Sequence, residues 1–298
     1  MYAQTVSPAR ALSALAGCAA LLLFAAPAFA QTAPNLGSNT PSGIVSSSYT
    51  NANTGTQTLI NGDVCFTTPP FTPPVTINGA TVTPCPPQKG IDQTAAVAFL
   101  NAQPCTFLPG STPLEAVIIG ANPPGTFPPG CYFSAGAMNI TASRTVTLNG
   151  AGVYIFRAGG ALTTGANSSV VLSGGACAND VFFAPVGATT LGANAAPSLV
   201  TPTFQGNILD AAGVTIGHFA NLNGRVLAFG GTVNTDANTI TVPSCAPFVG
   251  IPPVIPPVIP PVNAVGIVPV PTLSEWAMIM LGGLLAFVGF AAIRRRNS

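Results

Sequence analysis

An eight-residue phrase recurs through the second half of this chain, and a chain that repeats itself is built to stack like pieces on one another. Gly160-Ala-Leu-Thr-Thr-Gly-Ala-Asn167 returns as Gly187-Ala-Thr-Thr-Leu-Gly-Ala-Asn194, with looser copies at Gly213–Ala220 and Gly231–Asn238. Their starts are spaced by 27, 26 and 18 residues. Short apolar strands fall between them: Val153–Phe156, Val181–Phe183, Asn207–Leu209 and Arg225–Leu227. A strand-turn-strand unit of this length is too thin to bury a core alone and does so by stacking, which predicts the coils of a β-solenoid. A β-sandwich of independent hairpins would also supply short strands, but would not require similar ones at corresponding positions.

Composition agrees. Between Gln31 and Pro271 the only acids are Asp63, Asp92, Glu115, Asp180, Asp210 and Asp236, and the only bases are Lys89, Arg144, Arg157 and Arg225. A net charge near −2, six acids against four bases, argues against a nucleic-acid partner. Disorder needs low hydrophobicity, and 48% apolar residues argue against it. Thr, Val, Gly and Asn abound where Glu and Lys are scarce, a mixture for short strands and tight turns. One segment, Asp92–Asn101, reads as a helix capped by Asp92, stopped by Pro104, and docked through Ala95, Ala96, Phe99 and Leu100.

The two ends read as delivery signals. Arg10, the apolar stretch through Leu21–Phe24 and Ala28-Phe29-Ala30 make 1–30 a signal peptide, so the mature chain starts at Gln31. A rival is the lipoprotein box Leu15-Ala16-Gly17-Cys18, which would lipidate Cys18 but strand the most apolar stretch beyond the cleavage point. Residues 247–270 repeat Ile-Pro-Pro-Val; proline has no amide to donate, so this is an extended spacer reaching on the order of 75 Å. Then come Pro271, Thr272, Leu273, Ser274, Glu275 and Trp276, an apolar run from Ala277 to Ile293, and Arg294–Arg296. That run makes about 26 Å of helix, enough to just cross a bilayer core of ~30 Å, with the arginines holding the C-terminus in the cytoplasm. Residues 271–298 closely resemble the IPTL-CTERM sorting signal of Gram-negative bacteria, with Val270 where that family usually has Ile. The resemblance implies an exosortase-like processing enzyme as a partner, a single membrane crossing before sorting, and a final place at the cell envelope or surface. A plain C-terminal anchor is the simpler alternative.

The body of the chain carries a second resemblance. Ile60–Val64, the helix near Asp92, Pro129–Phe133, Tyr154–Phe156, Ala161–Thr164, Phe204–Ile208 and Asn223–Ala228, in this order and spacing, resemble the ice-binding-protein-like family. It spans roughly Leu36 to Val242, within a domain placed at 31–246. The resemblance implies a right-handed, three-faced parallel β-solenoid with one long α-helix alongside, in which the first strands neighbour the last. The opening strand near Pro41 and the proline-rich Thr67–Pro74 depart from the family, which leaves the first coils open. The mature chain has six cysteines, Cys65, Cys85, Cys105, Cys131, Cys177 and Cys245, in an oxidising compartment. Spacing alone reads them as disulfides without choosing among the fifteen pairings; the resemblance implies Cys105 with Cys131.

Catalysis has little material. His218 is the only histidine and sits inside a repeat; no nucleophile elbow, phosphate loop or two-histidine metal motif occurs, so no cofactor or metal is expected. Asp63, Asp180 and Asp236 could converge in a solenoid but read more simply as turn residues. One lysine and three arginines are poor equipment for a solenoid polysaccharide lyase. More telling is the period-two spacing. With Leu162, Leu191, Ile216 and Val233 inward, alternation turns Thr163 and Asn167, Thr190 and Asn194, and Thr215 outward. Stacked strands lie about 4.8 Å apart, so these side chains form a ladder. Threonine carries a methyl and a hydroxyl on a stiff stem, and in the family such a face is believed to order water as ice does. Phe219 and Asn234 are expected to interrupt the column. The reading is a non-enzymatic, envelope-sorted protein whose flat face binds ice or another repetitive surface; the alternative is a structural or adhesive surface protein on the same scaffold.

Overall fold

The computed structural model describes residues 31–68, 75–195 and 204–245; the signal peptide, the spacer from Pro247 and the sorting tail expected from the sequence lie outside these residues. Every strand pairing is parallel. The strands stack in three faces around one apolar interior. Along the first face the order is Thr106–Leu108, Gly130–Ser134, Tyr154–Ala158, Val181–Pro185, Asn207–Leu209, then the long strand Val226–Thr235, the opening strand Ser42–Asn51, Asp63–Thr68 and Thr81–Val82. Chain order is thus broken: the opening strand is wedged beside the closing one, with Ile44 opposite Val226 and Tyr49 opposite Val233. These two ten-residue strands bend from the first face onto the second, where Thr112–Pro113, Met138–Ile140, Leu162–Thr164, Thr189–Leu191 and Val214–Ile216 also stack. The third face is split into a three-stranded and a five-stranded sheet.

Parallel strands buried on both sides are expected to be continuously apolar, and Tyr154-Ile155-Phe156 meets that condition. Tyr154 and Phe156 fill the interior, while Ile155 joins the layer beneath the helix. The interior is threaded by an aromatic column: Tyr132–Phe156 at 5.3 Å, Phe156–Phe183 at 4.9 Å and Phe183–Phe204 at 4.8 Å between ring centroids.

The helix runs from Pro87 to Ala102, starting five residues before the expected Asp92. Proline at the first helical position is the real start signal, since its missing amide would be unpaired there anyway. Asp92 caps nothing; its carboxylate accepts from the Ser38 amide and hydroxyl at 2.8 and 2.6 Å. The buried side comprises Lys89, Gly90, Gln93, Ala96 and Leu100, whereas Ala95 and Phe99 are exposed, so the expected docking face was half right. Two polar residues sit on that side because each has a partner: Lys89 Nζ donates to the Ser38 carbonyl and Ser42 Oγ, and Gln93 Oε1 accepts from the Phe229 amide. At Gly90 an added Cβ would lie 2.4 Å from the Phe229 ring, so only glycine lets the helix approach this closely.

Three disulfides join Cys65 to Cys85, Cys105 to Cys131 and Cys177 to Cys245. Among the described residues no helix is long and apolar enough to cross a membrane; Ala277–Ile293 is not among them.

The phenols make a testable point. Tyr132 and Tyr154 each donate to a carbonyl at 2.6 Å, of Pro128 and Gly150, and Tyr49 pairs with Thr235 Oγ1 at 2.9 Å. Burial pushes Tyr49 up to about 12, against the opposing Thr235 hydrogen bond, and raises Tyr132 and Tyr154 further still. A folded pKa above the unfolded value near 10 gives stability that is whole below pH 10 and lost as pH climbs through 12. In residues 31–246, phenolate absorbance is therefore expected only together with loss of the fold, near pH 12. Titration at an ordinary phenol value with the fold intact would contradict this.

Candidate functional site

The second face of the solenoid holds the predicted ladder. Asn139 lies opposite Thr163, Thr163 opposite Thr190, Thr190 opposite Thr215, Thr215 opposite Asn234, and Asn234 opposite Thr50. Pro113 ends the column beyond Asn139. Thr163, Thr190, Thr215 and Thr50 are exposed, while Leu162, Leu191, Ile216 and Val233 are buried, so the inside-outside register matches the sequence reading. Thr189, the neighbour of Thr190, points the other way and donates to the buried Asp210 carboxylate at 2.6 Å. The column therefore contains seven side chains and no charge.

Four of the seven escaped the sequence reading or were misjudged: Pro113, Asn139 and Thr50 were not placed on the face, and Asn234 was taken for a break in it. Asn234 does not interrupt the column; it is a rung, donating from Nδ2 to Thr215 Oγ1 at 3.2 Å and accepting from Thr50 Oγ1. Its signal was already in the Gly231–Asn238 phrase, where it occupies the place of Thr163 and Thr190. Thr50 comes from the opening strand, whose partner is some 180 residues away, and no local pattern announces it. Phe219 is not in the column at all. It turns the next corner with φ +58°, as Asn167 does with +56° and Ala237 with +54°. The third phrase is also out of step: pairing Thr190 with Thr215 aligns Gly187 with Ala212, one residue before Gly213.

The glycines beside the ladder keep it flat. A Cβ on Gly192 would stand 2.4 Å from the Gly165 carbonyl of the adjacent coil, so a side chain there would push the coils apart. The two asparagines expected on the face lie at its border and tie coils together. Asn167 Oδ1 accepts from the Ala195 amide at 2.8 Å, and Asn194 Nδ2 donates to the Phe219 carbonyl at 3.0 Å. By contrast, the hydroxyls of Thr163 and Thr190 have no hydrogen-bond partner among the described residues. They stay available to whatever lies on the face.

Among the described residues the histidine and the aspartates that the sequence singled out lie apart from one another, except for one pair. His218 Nδ1 stands 3.1 Å from Asp236 Oδ2, and Asp236 Oδ1 accepts from the Thr54 amide at 2.6 Å. Asp63 accepts from the Ala80 amide, and Asp180 is buried at a corner. The three aspartates hold separate turns, and among the described residues no group of three or more His, Cys, Asp or Glu is placed to hold a metal ion. What the face offers is a rigid, uncharged row of methyls and hydroxyls repeating at roughly 4.8 Å, which suits a periodic ligand better than a single small molecule.

Comparison with known proteins adds the rest. Over 118 residues the chain is 34% identical to an ice-binding protein of Flavobacterium frigoris, covering 40% of each chain. It is 34% identical over 117 residues to ice-binding protein 1 of Shewanella frigidimarina, covering 38% of this chain and 12% of that one. The chain thus spans two fifths or less of these two relatives. Among solved structures, an ice-binding protein from an Antarctic biological consortium superimposes with a TM-score of 0.61 at 25% identity, over 72% of this chain and 93% of that one. One from the Antarctic ascomycete Antarctomyces psychrotrophicus gives 0.58 at 29%, over 71% and 98%. Residues 268–296 match the IPTL-CTERM motif. Residues 43–241, more than half of the 298, match the ice-binding-like family, and the chain belongs to it.

Proposed function

We propose that this protein is exported, sorted at the envelope of a Gram-negative bacterium, and binds ice through the threonine face without catalysing a reaction. The observation that carries the reading is the exposed, in-register column Thr163–Thr190–Thr215 on a flat sheet of an ice-binding-like chain. Asn167 and Asn194 border that face and hold its coils in register. β-Branched threonines on a sheet lose little freedom when they are immobilised, so water ordered over them is not opposed by side-chain entropy. A right-handed winding is the hand that strand twist favours for parallel crossovers.

Delivery follows from the two ends. Residues 1–30 direct export, 247–270 space the domain from the membrane, and Pro271–Trp276 with the Ala277–Ile293 helix is read by an exosortase-like enzyme. The helix makes the single membrane crossing that precedes processing. Residues 31–246, held in a frozen sucrose suspension, are expected to keep ice grains small over hours of annealing. Grains that coarsen as fast as in buffer alone would sink the ice reading.

A further inference from the structure

After Val242, whose amide donates to the Asn61 carbonyl at 3.0 Å, the chain crosses to an edge of the solenoid and is pinned there. Cys245 is bridged to Cys177, and its carbonyl accepts from Asn179 Nδ2 at 3.2 Å. Cys177 lies between Ser169–Ser173 of the third face and Val181–Pro185 of the first. This edge is the one that does not border the threonine face, and in a three-sided body it lies opposite. It is also stitched along its length. The buried Arg225 donates from Nε to the Thr40 carbonyl at 2.8 Å and from Nη1 to Asn179 Oδ1 at 2.7 Å and Asn207 Oδ1 at 2.9 Å. Thr40, Arg225, Asn207 and Asn179 stand at the head of four successive coils.

We propose that the Cys177–Cys245 bridge is the joint that carries a pull between the ice-held domain and its anchored tail. The inference rests on the functional reading above, because it needs one face held to a solid and the C-terminal end held to a cell. Residues Ala178 to Ser244 form a covalent loop closed by the bridge, and this loop contains Thr190, Thr215 and Asn234. A pull arriving at Cys245 therefore passes directly to Cys177 and the stitched edge. Without the bridge it would act on the last strand, Thr239–Thr241, and then on Val226–Thr235, which lies mid-stack against the opening strand. The coil that completes the threonine face would be the first to peel away.

The test pulls on the full chain in detergent, between an azide-bearing side chain installed at position 190 and a handle on the C-terminus, in an optical trap. In the wild type the pull runs through the thirteen residues from Cys177 to Thr190, so the domain lengthens by no more than about 45 Å. In the double variant Cys177→Ser, Cys245→Ser, an early step of up to about 190 Å is expected, the length of the 55 residues from Thr190 to Cys245, at a several-fold lower force. Cys245 is exposed, whereas Cys65, Cys85 and Cys131 are buried and Cys105 is half-buried, so mild reduction of the wild type opens this joint first and gives the same comparison if the double variant folds poorly. A variant or reduced chain that holds to the wild-type force with no early step would overturn the proposal. No ice enters the measurement, so its outcome is separate from that of the ice assays.

Discussion

Phe156→Ala is expected to destabilise the domain by about 3–5 kcal/mol, the range for removing a buried aromatic ring from a close-packed interior. The ring is 1% exposed and sits in the middle of the aromatic column, touching Phe127 at 5.2 Å as well as Tyr132 and Phe183. Stacked and edge-on ring pairs add to area burial, and this substitution removes three of them at once. The walls are parallel strands pinned by backbone hydrogen bonds to coils on both sides, so the cavity cannot close by a local shift. Against a total stability of roughly 5–15 kcal/mol this is a large fraction. Urea titration of residues 31–246 with the disulfides intact measures it. A loss below about 1 kcal/mol would mean that the interior relaxes around the gap.

Thr190→Tyr is expected to abolish ice binding while leaving the fold in place. Thr190 is exposed at the centre of the ladder, with Thr163 and Thr215 as its in-register neighbours. A phenol there stands several ångströms above a row of methyls and hydroxyls and holds a flat solid away from rungs on both sides. Stability is expected to change by only about 0.5 kcal/mol, as for other surface positions, and tyrosine suits a strand. The neighbouring position would behave differently. Thr189 is buried against Asp210, so an aromatic there would overpack the interior, and the two variants separate a face effect from a folding effect.

How much of this was legible in the sequence depended on whether the information was local. Thr163, Thr190 and Thr215 could be placed because alternation with Leu162, Leu191 and Ile216 fixes inside from outside within a few residues. Asn234 was written in the same repeat yet read as an interruption, because pattern alone does not say that an amide can bridge two threonines. Thr50 was invisible: its place depends on the opening strand pairing with the closing one, a contact no period records. The helix end at Pro104 was legible and its start was not, since Lys89, Gly90 and Gln93 form a buried side that looks polar until Ser38, Ser42 and Phe229 are beside it. Asn167 and Asn194 were placed outward by counting in twos, a rule that ends where the strand does; beyond Thr164 and Leu191 the chain is already turning the corner.

Thermal hysteresis of residues 31–246 tests the central claim most directly when three forms are compared: the wild type, Thr190→Tyr, and Thr147→Tyr. Thr147 is the matched control, an outward residue at the centre of the three-stranded sheet on the third face, between Thr126 and Val171. The wild type and Thr147→Tyr are expected to lower the freezing point equally below the melting point, and Thr190→Tyr is expected to show no gap between the two. Equal hysteresis in all three, or a loss confined to Thr147→Tyr, would contradict the assignment of ice binding to the threonine face.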